Sequence, residues 1–216
     1  MANAAPLRRT APAAWPRRQW ALWLVATLLA AAIAVFSLHY LRPGMPSGFP
    51  EQSAIFREHA LWFRLHVVGG AIALALGPFQ FLPGLRTRRP GLHRWSGRLY
   101  LSGIVAGTVG GLYMAQLSFG GNVTHLGFGL LAMSWFATTA MALRAILAGD
   151  VVQHRRWMIR SYALTYAAVT LRLWLPGLAA ALPFETAYQF VSWLAWIPNL
   201  IAAEIYLRYR PTPQTS

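Results

Sequence analysis

The stretch GDVVQHRRWMIRSYALTYAAVTLRLWLPG, Gly149 to Gly177, sets His154, Arg155, Arg156 and Arg160 directly before an apolar run that continues to Pro176. In a soluble domain such a cluster would read as a nucleic-acid patch. Here the rest of the chain excludes that reading. Its arginines lie on no single face and in no single tail; they fall between long apolar runs, which is the membrane pattern. The stretch also carries its own start signals. Gly149 closes the preceding helix, Asp150 caps the next, and Gln153 stands at the capping-box position.

Working outward, six apolar runs reach the roughly 20 residues that a helical span requires. They are Trp20 to Leu41, Ala60 to Leu82, Trp95 to Leu117, Leu126 to Leu147, Trp157 to Pro176 and Tyr188 to Leu207. The fold class expected is all-α: a polytopic membrane protein of six transmembrane helices. The expected divisions are an N-terminal segment at 1–19, a membrane domain at 20–207 with its core at 60–178, and a tail at 208–216. Because the first run is long and no small-residue cleavage site follows it, it reads as a retained signal-anchor helix.

Orientation follows from counting. All 19 basic residues are arginine. With the N-terminus inside, the inner segments hold Arg8, Arg9, Arg17, Arg18, Arg86, Arg88, Arg89, Arg94, Arg98, Arg144, Arg155, Arg156, Arg160, Arg208 and Arg210. The outer side keeps Arg42, Arg57, Arg64 and Arg172, so the split is 15 against 4. Of the five acids, Glu51, Glu58 and Glu185 lie outside. The bias predicts both termini in the cytoplasm of a bacterial inner membrane. The net charge of +14 is thus largely topological; the expected partner is the lipid bilayer, not nucleic acid.

The chain has no cysteine, which excludes disulfides, thiolate nucleophiles and cysteine-held metals. No phosphate-cradling glycine loop, HExxH, GxSxG elbow or mid-membrane acid occurs.

An upstream stretch, LHRWSGRLYL from Leu92 to Leu101, echoes the opening one. At an offset of 62 residues, Arg94, Trp95, Arg98 and Tyr100 fall on Arg156, Trp157, Arg160 and Tyr162. At an offset of 59, His66, Gly70 and Ala73 fall on His125, Gly129 and Ala132. Spans two to five therefore read as a four-helix core built from a tandem hairpin repeat. Four of the six histidines fall one to each of these spans. In a square bundle, diagonal spans would pair His66 with His125 toward the outer side and His93 with His154 toward the inner side. Bis-histidine pairs across a bundle are how b-type haem is held. The stripes Gly69, Ala73, Gly77 and Gly103, Gly107, Gly111 would admit a macrocycle. Arg64 and Arg172 outside, and Arg94, Arg98, Arg156 or Arg160 inside, would meet its propionates. The same stripes and anchors also serve plain helix packing and interfacial anchoring.

Other polar residues invite local readings. Glu204 pairs with Arg208 one turn on. Pro198 kinks the last span, and the Asn199 amide reaches a neighbour. Thr138, Thr139, Thr165 and Thr170 bond back to their own helices. His39 and His59 flank the outer loop that contains Pro43 and Pro46.

At GPFQFLPGLRTRRPGLHRWSGRLYL and HRRWMIRSYALTYAAVTLRLWLPGL the chain resembles a bacterial family of predicted membrane proteins with a domain of unknown function. That resemblance implies an integral membrane protein and no activity. In histidine placement and topology the chain more distantly resembles six-helix di-haem cytochromes b. This likeness implies transmembrane electron transfer from a quinol or small reductant, with His66, His125, His93 and His154 as iron ligands. The alternative is a haem-free permease or accessory subunit, in which Arg64, His66 and Arg172 line an outer cavity suited to an anionic headgroup.

Overall fold

The computed structural model describes residues 15–42 and 50–209. Arg8, Arg9, Pro43, Pro46 and Arg210 lie outside the described residues. Every regular element among those described is helical. The elements are α1 (Arg17–Ser37), a 3-10 turn (Leu38–Leu41), α2 (Pro50–Glu58), α3 (Ala60–Gln80) and α4 (Pro83–Arg88). They continue with α5 (Pro90–Ala115), α6 (Asn122–Leu147), α7 (Val151–Thr165), α8 (Ala167–Ala181), α9 (Phe184–Leu194) and α10 (Ile197–Tyr209).

Five segments are long and apolar enough to cross a membrane: Arg17–Leu41, Ala60–Gln80, Asn122–Leu147, Val151–Ala181 and Phe184–Tyr209. The sixth expected span, within α5, is not among them. At 26 residues α5 is amply long. Arg94, Arg98 and six glycines dilute its apolar content. The expected fifth and sixth spans are each two helices. A turn at Tyr166 separates α7 from α8, and Ala195 and Trp196 separate α9 from α10, ahead of Pro198.

The local signals behave as their chemistry requires. The Gln153 amide donates to Asp150 Oδ1 at 2.9 Å, capping α7. Gly120, Gly121 and Gly149 take positive φ of 95°, 68° and 78° in the two tight turns. These turns set α5, α6 and α7 antiparallel. Around the core, α3 packs on α5, α5 on α6, α6 on α7 and α7 on α3, which leaves α3 and α6 diagonal, like α5 and α7. Outside this square, α1 lies on α3 and α9 lies on α6 and α8. One end of the bundle carries Arg86, Arg88, Arg89 and Arg155; the other carries the Ser118–Gly121 turn.

The small-residue stripes are used for helix packing. A Cβ added at Gly69 would lie 2.4 Å from both the Gly103 carbonyl oxygen and the Gly107 nitrogen. One added at Gly110 would lie 2.3 Å from the Trp62 carbonyl oxygen, and Gly77 lies against the Tyr162 ring. So α3 and α5 meet backbone to backbone. At Gly69 and Gly103 the partner helix fills the space, while Gly107 and Gly111 also border a cavity.

Candidate functional site

Beside that closed seam lies a cavity of about 240 Å³. Its walls come from α3, α5, α6, α7, α8 and α9, together with Tyr40 of the 3-10 turn and Phe56 of α2. Most of the lining is apolar or aromatic, including Phe63, Val67, Leu131, Trp135 and Leu171. The two basic groups that enter it are His66 and Arg172.

The glycines of α5 explain why His66 stands there. Gly110 brings the α3 backbone close, and Gly111 leaves room for the imidazole: a Cβ at Gly111 would sit 2.7 Å from His66 Nδ1. That nitrogen lies 2.9 Å from the Gly107 carbonyl oxygen. A carbonyl only accepts, so Nδ1 carries the proton, and in the neutral form of the ring Nε2 holds the lone pair. His66 is exposed, and it lines the cavity.

Arg172 sits in the second half of the Val151–Ala181 span. Its Nη1 donates to the Ala168 carbonyl at 2.8 Å, and its Nη2 donates to Ser37 Oγ at 3.2 Å. A further hydrogen bond reaches Tyr40, and the guanidinium lies 5.9 Å from the Phe36 ring centroid. Every one of these partners is neutral. Among the described residues the one salt bridge is elsewhere, between Arg160 and Glu204. A guanidinium in an apolar span costs roughly 2.5–3.5 kcal/mol on insertion scales. Among the described residues, Arg172 carries that cost with no salt-bridged carboxylate.

Below these groups a hydroxyl network ties three helices together. Trp135 Nε1 donates to Thr165 Oγ1 at 2.8 Å, and Tyr100 Oη lies 3.0 Å from that oxygen and 2.9 Å from Ser161 Oγ. Thr139 Oγ1 is 2.8 Å from Ser161 Oγ. The four threonines expected to bond back to their own helices all do so.

The other expected site residues are placed as follows. His125 stands in the first turn of α6, where its Nε2 donates to the Ser118 carbonyl at 3.0 Å. It is not part of the cavity lining, whereas His66 is. Arg64 is exposed and also outside the lining. At the arginine-rich end, His154 Nδ1 donates to the Ala142 carbonyl at 2.9 Å. His93 is close enough to His154 to sense its charge, and its own Nδ1 is buried without a hydrogen-bond partner.

Arg94 and Arg98 are exposed, while Arg156 is half-buried. Arg160 forms a bidentate pair with Glu204, at 2.5 and 2.9 Å, and lies 4.6 Å from the centroid of the Trp157 ring. This corrects the expected Glu204–Arg208 pair: the Arg160 fork from α7 takes both carboxylate oxygens. Asn199 reaches the Ala163 carbonyl at 3.2 Å and Thr170 Oγ1 at 3.0 Å, the expected bond to a neighbouring helix. His39 stacks on Phe36, and His59 Nδ1 meets the Tyr113 hydroxyl at 3.2 Å.

Sequence reasoning missed Tyr40, Trp135, Thr165 and Tyr188 as cavity residues. Trp135 and Thr165 carried one signal: both lie in apolar runs, and their polar atoms need partners there.

Fold and cavity together define a polytopic helical membrane protein. Residues 63–207 match the family model described as "Predicted membrane protein (DUF2306)", and the chain belongs to that family. No curated protein and no solved structure matches the chain.

Proposed function

We propose that the chain is a six-span inner-membrane protein with both termini in the cytoplasm, and that its cavity binds a small amphipathic anion. The observation that carries this reading is Arg172, a guanidinium lining a largely apolar cavity with only neutral protein partners. An anion bound there would supply the missing countercharge, and the apolar walls would take its hydrophobic part. The sixth span is α5, whose antiparallel packing between α3 and α6 carries it the length of the bundle. The arginine bias supports the orientation.

The test is small-anion binding to protein in lipid nanodiscs, by calorimetry, for wild type and Arg172→Gln. Binding that drops at least about tenfold in the variant supports the reading. Equal binding by both proteins, or none by wild type, defeats it.

A second reading rests on the arginine-rich end. There His154 is oriented by a backbone carbonyl, as metal-bound imidazoles commonly are, and lies near the unpartnered Nδ1 of His93. This pair would serve as the ligand set for a b-type haem; the outer pair is the weaker choice, because His66 lines the cavity and His125 does not. Haem would supply one-electron transfer. In this reading His93 and His154 would hold it, and Arg156, half-buried on α7, would remain for a propionate. A reduced-minus-oxidised absorbance spectrum decides: a b-type alpha band lost in His154→Ala supports it, and a colourless protein from haem-replete cells removes it.

A further inference from the structure

The cavity's hydrogen-bonding inventory narrows the ligand class, an inference that rests on the anion-binding reading above. Thr165 Oγ1 donates to the Ser161 carbonyl at 2.9 Å, accepts from Trp135 at 2.8 Å, and takes the Tyr100 hydroxyl at 3.0 Å. Its proton and both lone pairs are spent, and so is the single indole proton of Trp135. The Ser118 proton is also committed, shared between the Ala115 carbonyl at 2.9 Å and Thr124 Oγ1 at 3.0 Å. Although polar in composition, this part of the wall offers a ligand only an apolar face.

Besides the hydroxyls of Tyr40 and Tyr188, the two basic groups of the wall remain with capacity. Three of the five N–H donors of Arg172 are placed on Ala168, Ser37 and Tyr40, which leaves two for an anion. His66, fixed by Gly107 through Nδ1, presents Nε2 as an acceptor in its neutral form. An acceptor needs a donor, and a simple carboxylate has none to give.

We infer that the ligand is a small hydroxylated carboxylate, such as a phenolic acid. Its carboxylate meets Arg172, its hydroxyl donates to His66 Nε2, and its carbon skeleton lies against Trp135, Leu131 and Val67. Volume sets the scale. About 240 Å³ equals about eight waters at roughly 30 Å³ each. That suits a single ring with its substituents.

The probes are 3- and 4-hydroxybenzoate, benzoate and inorganic phosphate, titrated by calorimetry into the full chain in nanodiscs. At least one hydroxybenzoate should bind about tenfold tighter than benzoate, the usual worth of one buried hydrogen bond. In His66→Phe that preference should vanish while benzoate binding persists; if this variant does not fold, His66→Leu, which also lacks an acceptor, replaces it. Benzoate binding as tightly as both hydroxybenzoates would overturn the hydroxyl requirement and leave the anion reading standing. So would phosphate binding more tightly than any of them, which would refute the apolar wall. If no anion binds, the anion reading itself fails and this inference falls with it.

Discussion

Gly69 and Gly70 are consecutive on α3, yet they belong to different regions. At Gly69 an added Cβ meets the α5 backbone at 2.4 Å; at Gly70 it meets nothing within 4 Å. The first faces the α3–α5 seam, where small residues let two helices touch. The second faces the cavity, where small residues leave space. One residue type serves opposite ends, and only the partner across from it decides which. Apolar lipid gives no hydrophobic drive to close gaps between helices, so close packing has to come from shape. Where shape complementarity stops, a cavity persists.

The seam should be the least tolerant part of the molecule. Gly69→Leu would drive a side chain into the α5 backbone, which cannot rotate away as a side chain can. We expect a loss of at least about 4 kcal/mol, in the range reserved for severe core disruption. The readout is the yield of monodisperse protein on size exclusion in detergent, which should collapse. A well-behaved Gly69→Leu protein would mean that the seam is looser than its geometry indicates.

The sequence made the helices legible because hydropathy, capping residues and arginine placement act locally. Asp150, Gly149 and Thr138 behave as their neighbours in the chain dictate. What it could not show was partner choice. GGAIALALG reads equally as a packing stripe or a cofactor slot, since the deciding atoms of Gly103 and Gly107 lie more than thirty positions away. Glu204 found Arg160 on another helix for the same reason, and pairing by sequence proximity chose Arg208. His66 and His125 are equivalent in the repeat pattern, but Gly111 seats one ring in the cavity while the Ser118 carbonyl holds the other outside it.

Between seam and cavity stands Tyr100, fully buried, with its hydroxyl on Ser161 and Thr165. Tyr100→Phe would leave both hydroxyls short of a partner without changing packing volume. A destabilisation of about 1–2 kcal/mol is expected, because hydrogen bonds between spans are worth less than burial alone suggests. A thermal melt monitored by circular dichroism measures it. No shift would mean that the network is redundant and that the boundary is held by packing.

Glu204 lies outside both regions and serves as their control. Glu204→Gln should cost about 0.5–1 kcal/mol, as the pair is only partly withdrawn from solvent, and Arg208→Gln should cost nothing measurable. The same melts separate the two. An equal loss in both variants would restore the local pairing along α10.

The smallest effect on stability is also the sharpest test of the comparison. Gly70→Val places a branched side chain where the structure has empty space, on a residue that lines the cavity. Its fold should survive within about 0.5 kcal/mol, because filling space offsets the stiffness a β-branched residue brings to a helix. Anion binding should nevertheless fall at least about tenfold, since the added methyls occupy the ligand's volume while Arg172 and His66 stay untouched. Unimpaired binding in a stable Gly70→Val protein would place the ligand elsewhere. A collapse like that of Gly69→Leu would show that α3 is clamped on both faces, and the contrast between seam and cavity would disappear.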